Sequence, residues 1–129
     1  MTRDTAAGLV KKLIVLRQVR GRCKAIAADR RITLTYRENM QDESRLKRDF
    51  DALRRQLLKR PSFRGVAVGC RQERGALHVH MFVKERQSVQ VLRSAWRNVV
   101  GEDGGNVHIL RMNAAVDFLD IESFVGVLW

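Results

Sequence analysis

From Ala76 to Lys84 the side chains alternate without interruption, and this constrains the fold more than any other feature of the chain. Leu77, Val79, Met81 and Val83 fall on one face of an extended segment, with His78 and His80 on the other. A period of two cannot bury an apolar stripe on a helix, so the segment reads as a strand of a sheet with one face against a core. Phe63 to Arg71 is a second apolar, β-prone run, and Gln72 to Gly75 between them supplies a hairpin turn.

The remaining elements follow from period and capping. Arg31-Ile32-Thr33-Leu34-Thr35-Tyr36 alternates as a strand, with Ile32, Leu34 and Tyr36 on one face and Thr33 and Thr35 on the other. Leu46, Phe50, Leu53 and Leu57 recur at helical spacing opposite Arg45, Arg48, Arg55 and Lys59. Asn39 or Asp42 can cap that helix, and Pro61 ends it, giving about 42 to 60. Ser88 caps a helix with Val89, Leu92, Trp96 and Val99 as its buried stripe, stopped by Gly101. Asn106 to Leu110 then forms a further strand after Gly104-Gly105. Ahead of these lies a helix over 5 to 20, with Leu9, Leu13, Leu16 and Val19 as its stripe and Gly21 as its stop. A basic connector runs from Arg22 to Arg30.

The core, 31 to 111, therefore reads βαββαβ. The expected fold is α+β: an antiparallel sheet with helices on one face, of the split βαβ, ferredoxin-like kind, leaving the other face free for ligand. At 129 residues the chain allows one domain. Residues 1 to 30 are a basic N-terminal helix and connector, and 112 to 129 an atypical tail. The tail has three acids, Asp117, Asp120 and Glu122, and no basic residue; Ala115 to Val125 within it reads as a short amphipathic helix.

Charge narrows the partner. The net charge is +11, and residues 1 to 60 carry 17 basic against 7 acidic side chains. A surplus of this size points to a polyanion, or else only to a solvated basic face. Nineteen of the 25 cations are arginine, whose planar fork suits phosphate oxygens and base edges, which favours nucleic acid over anionic lipid. Arg31, Arg37, Arg45, Arg48, Arg55, Arg71 and Arg74 are the candidate contacts. No apolar run is long enough to span a bilayer and no signal sequence is evident, so a cytoplasmic location is expected. Cys23 and Cys70 are too few for a disulfide framework and are expected reduced.

His78 and His80 project from one side of their strand within reach of a single cation, and neutral imidazole is a good ligand for first-row divalent metals. The spacing supplies two ligands only, and a His-x-His pair also arises by chance. His108 reads as a surface or half-buried residue.

Leu34-Thr35-Tyr36-Arg37-Glu38-Asn39-Met40, Gly75-Ala76-Leu77-His78-Val79-His80, and Trp96 leading to Gly101 and Gly104-Gly105-Asn106-Val107 occur in this order. Together they resemble the endonuclease domain of HUH-type replication initiators, the rolling-circle Rep proteins of plasmids and filamentous phages, over about residues 31 to 110. The resemblance implies metal-dependent nicking and joining of single-stranded origin DNA. The two histidines and a third polar side chain would hold Mg²⁺ or Mn²⁺, and a tyrosine on a helix after the last core strand would attack phosphorus. His78 and His80 match the metal positions.

Where such proteins usually carry glutamate, eight residues before the first histidine, this chain has Cys70. Cys70 is either the third ligand, in which case a thiolate favours Zn²⁺, or a small buried residue; Glu73 in the hairpin is the alternative donor. The only tyrosine is Tyr36, which points with Ile32 and Leu34. Phe118 and Phe124 have no nucleophilic oxygen, and Ser123 has no base nearby in sequence.

The expected function is thus DNA binding related to rolling-circle initiation, with nicking defective for want of the tyrosine. That expectation includes a chain truncated or shifted in frame near residue 111. The alternative is a non-catalytic single-stranded nucleic-acid-binding module or regulator. A tyrosine transposase of the same superfamily would need the same missing residue. An RRM-like RNA binder would need exposed stacking aromatics, and aromatic residues are only 6% of the chain.

Overall fold

A computed structural model of the chain describes residues 5–60, 63–111 and 123–129. The predicted hairpin forms from β2 (Gly65–Arg71) and β3 (Leu77–Val83). With β1 (Arg30–Tyr36), β4 (Gly105–Arg111) and β5 (Phe124–Val127) they make an antiparallel sheet in the order β4-β1-β3-β2-β5. β3 lies between β1 and β2, which is the split arrangement expected for the core, so the fold is α+β.

Two helices cover one face. α2 (Glu43–Leu57) begins where Asp42 Oδ1 accepts from the N–H groups of Ser44 and Arg45. Its Leu46, Phe50, Leu53 and Leu57 are all at most 2% exposed, each contributing about 1.5–3 kcal/mol of apolar burial. α3 (Val89–Val100) is capped by Ser88 and buries Leu92, Ala95 and Trp96, while Val89 and Val99 are only half-buried. Both pack on Ile32, Leu34, Tyr36, Ala67, Leu77, Val79, Met81 and Val83, the inward residues of β1 to β3. Trp129, after β5, joins this core by stacking on Phe63 with ring centroids 5.7 Å apart.

The opposite face is only half open. α1 (Ala6–Ala25), capped by Thr5, runs five residues beyond the expected end, through Gly21 and into the supposed connector. Leu16, Val19 and Cys23 pack on Val66, Val68 and Cys70 of β2, Phe82 of β3 and Phe124 of β5. The stripe continues past Gly21 because Cys23 has a partner, and burial outweighs the roughly 1 kcal/mol cost of a helical glycine. Leu9 and Leu13, expected in the same stripe, stay 39% and 47% exposed.

The end of the compositionally distinct tail is ordered against the sheet. Residues 124 and 125, read as part of a helix, belong to β5, which pairs with the free edge of β2 with a register shift at Gly69/Cys70. Residues 115–122 of that predicted helix, with Phe118 and the acids Asp117, Asp120 and Glu122, lie outside the described residues, as does Pro61.

Candidate metal centre

Directly opposed residues of antiparallel strands share a face, so the register gives the composition of the open half-sheet. One row across it is Cys70, His78, Thr35, Asn106; the next is Val68, His80, Thr33, His108; a third is Val66, Phe82, Arg31, Leu110. α1 covers the β2 end of these rows and leaves the β1 and β4 end accessible, with Asn106, His108 and Leu110 exposed.

His78 and His80 converge. Their Nε2 atoms lie 3.1 Å apart, with ring planes at 83°. Nitrogens this close either share one proton or aim two lone pairs at one cation, and two ligands of a tetrahedral Zn²⁺ would stand about 3.3 Å apart. Nδ1 of His80 lies 3.1 Å from Thr33 Oγ1. A proton on Nδ1 donated to Thr33 puts the ring's lone pair on Nε2, so the threonine orients the ring for coordination. Thr33 is the member of the site that sequence reading missed. Period two placed it on the correct face, but only the β1–β3 register brings it beside His80.

Cys70 completes the group. Its Sγ and a ring nitrogen of each histidine all lie within 4.8 Å of one another, and the three side chains can hold a metal ion. Among the described residues Glu73 is not in this cluster; it is exposed on the hairpin. Burial raises the Cys70 thiol to about 11, partly offset by a hydrogen bond from Ser123, so a thiolate forms there only with a cation to stabilise it.

Both imidazoles are held neutral. Burial lowers His80 to about 3, helped by the neighbouring His78 and by Arg31. Burial also lowers His78, with the Ala76 backbone opposing and Arg31 assisting. That backbone group is near enough to bias the ring, yet His78 Nδ1 is buried without a partner in good hydrogen-bond geometry. Neutral rings are the coordinating form.

Tyr36 is not part of this site. It belongs to the core cluster on the α2/α3 face, where its hydroxyl donates to Asp49 Oδ2 at 2.7 Å. Burial and that carboxylate both push its ionisation up, away from a ready phenolate.

The predicted arginines divide. Arg31 lies beside the histidines, and Arg37, Arg71 and Arg74 sit at the sheet end carrying Cys70 and His78. Arg71 is tied to the Gly75 carbonyl at 2.8 Å and to Glu43 at 3.4 Å. Arg45, Arg48 and Arg55 are on α2, behind the sheet, and Arg45 is paired with Glu38 and Asp49.

Among the described residues no helix is long and apolar enough to cross a membrane. No curated protein and no solved structure gives a significant match. Residues 29–119, most of the chain, match the model of the replication-associated protein family typified by ORF2, so the chain belongs to that family and its function is replication-related.

Proposed function

We propose that the chain is an HUH-type DNA-binding domain related to rolling-circle initiators. In this reading it holds single-stranded origin DNA on the open half of its sheet through a cation bound by His78, His80 and Cys70. The observation that carries it is the 3.1 Å convergence of two neutral imidazoles on that face, in a chain of a replication-associated family. Arg31, Arg37 and Arg74 would contact phosphates around the site. The free thiols of Cys23 and Cys70 suit a cytoplasmic setting.

The donor set bears on the metal. Two imidazoles and a thiolate fit Zn²⁺; Mn²⁺ is served by the imidazoles with oxygen ligands from water or phosphate; hard Mg²⁺ is the poorest match. When bound, the cation stabilises negative charge on phosphate oxygens.

Binding without covalent nicking is the reading that the position of Tyr36 supports, since the only tyrosine faces away from the histidines. The test is incubation with a labelled single-stranded origin oligonucleotide and Mn²⁺ or Zn²⁺. Cation-dependent binding that H78A/H80A abolishes, with no covalent adduct, is expected. Cation-independent binding unaffected by that variant would refute the metal centre, and an adduct would refute the non-nicking assignment.

A further inference from the structure

α1 carries two apolar stripes that point in different directions. Leu16, Val19 and Cys23, in its second half, are buried against β2, β3 and β5. Ala6, Leu9, Val10, Leu13 and Ile14, in its first half, recur at i, i+3, i+4, i+7 and i+8, and at 3.6 residues per turn they face roughly 120° away from the buried set. All of them are exposed, Val10 and Ile14 at 56% and 50%. Four of the eight large apolar side chains exposed among the described residues thus sit on adjacent turns of one helix. Scattered exposed apolar residues need no explanation, but a contiguous set marks an interaction surface.

The same outward face changes character along the helix. Beyond Ile14 it continues through Arg17, the half-buried Arg20, Gly21 and Lys24. The sequence of α1 contains six cations and no acid, and Arg17 and Lys24 form no ion pair among the described residues. A Cβ on Gly21 would meet nothing within 4 Å, so packing within this chain does not require a glycine there. Its place on the outward face lets another backbone approach closely. From Ala6 to Lys24 the face is about 27 Å long at a helix's rise.

We propose that this face of α1 is the docking surface for an acidic amphipathic helix of a partner protein. Its apolar side chains would pack on Leu9, Val10, Leu13 and Ile14, and its carboxylates would meet Arg17 and Lys24. Charge complementarity selects that occupant. A second copy of α1 would bring six more cations to a helix without acids, and four part-exposed side chains per copy fall short of the roughly 1,200 Å² that a stable dimer buries. A bilayer surface suits a helix that is apolar along one whole side, whereas this side is apolar in its first half and cationic in its second. A polyanion with no apolar face would leave the leucines in water. The surface shares no residue with the metal centre, so neither depends on the other.

The experiment uses the whole chain and a labelled synthetic peptide of about 20 residues, helical, with leucines at i, i+3, i+4 and i+7 in one half and glutamates on the same face of the other. A scrambled peptide of equal composition keeps the charge and loses the stripe. Fluorescence anisotropy should show the patterned peptide bound about tenfold or more tighter than the scrambled one. V10Q/L13Q/I14Q should weaken that binding by about tenfold or more, and R17E/K24E likewise. The changed positions are exposed, so melting temperatures should stay equal. H78A/H80A should bind the peptide as wild type does, and V10Q/L13Q/I14Q should keep Mn²⁺-dependent binding of a single strand, which separates this surface from the metal-centre reading. Equal affinity for the two peptides would overturn the proposal, because charge alone would then account for binding. A dimer seen in sedimentation of wild type and lost in V10Q/L13Q/I14Q would overturn it in favour of a second copy. Adsorption to phosphatidylserine vesicles that this variant abolishes, without peptide binding, would overturn it in favour of lipid. Peptide binding seen only in D117N/D120N/E122Q would assign the face to the chain's own acidic residues and overturn the partner.

Discussion

Thr33 Oγ1 stands 3.1 Å from Nδ1 of His80, across the β1–β3 pairing. This contact fixes which ring nitrogen faces the site. Thr33→Val keeps the shape and removes the hydroxyl, so the ring loses its orienting partner while the fold keeps its packing. Affinity for Zn²⁺ or Mn²⁺ should fall on the order of 10–100-fold, with little change in melting temperature. Isothermal titration measures it, and an unchanged affinity would count against the threonine's role.

The same histidines set a pH dependence. Burial lowers His80 to about 3 and lowers His78 too, whereas both titrate near 6.5 in the unfolded chain. Below about 6.5 the unfolded state takes up protons that the native rings refuse, so stability is full above that pH and falls as pH drops toward 3. For His80 alone the loss between about pH 7 and pH 5 is about 2 kcal/mol. Urea unfolding of the metal-free protein at the two pH values should show that loss, and His80→Gln should flatten the profile.

The parts of the molecule legible in the sequence are those whose signal is local. Leu77 to Val83 alternates and Leu46 to Leu57 repeats at helical spacing, and each apolar set is buried as its period requires. What stayed hidden depends on partners distant in sequence. Gly21 reads as a helix stop until Cys23 is seen packed against β2. Phe124 to Val127 is a short apolar run whose state is decided by the open edge of β2. Charge counting drew attention to Arg45 and Arg71, and only the fold shows that ion pairs engage both. The His78–His80 pair was readable because both ligands lie on one strand; Thr33 was not, because register is a tertiary property.

Gly105 tests how β4 is seated. A Cβ there would overlap the Thr35 carbonyl oxygen and lie 2.7 Å from Trp96 Nε1, the group that donates to that same carbonyl at 3.0 Å. Gly105→Ala must therefore push β4 off β1 or displace the indole. A loss on the order of 2–4 kcal/mol is expected from overpacking combined with a broken buried hydrogen bond. Denaturant unfolding gives the value, and a loss under about 1 kcal/mol would show that the edge strand adjusts freely.

Tyr36 separates structure from chemistry most directly. Its hydroxyl donates to Asp49 at 2.7 Å, its ring meets Trp96 edge-on with centroids 5.5 Å apart, and the Arg45 guanidinium lies over it at 5.3 Å. All of these partners lie on the α2/α3 side of the sheet, and the imidazoles of His78 and His80 project from the other. Tyr36→Phe removes one hydrogen bond to a carboxylate that Arg45 continues to neutralise, so stability should drop by about 1–2 kcal/mol. Metal affinity and single-strand binding should stay at wild-type values, because nothing the phenol touches reaches the open face. A variant that kept its stability but lost DNA binding, or lost a covalent adduct formed by the wild type, would require the tyrosine to act at the histidines and would contradict the sheet's two-sided arrangement.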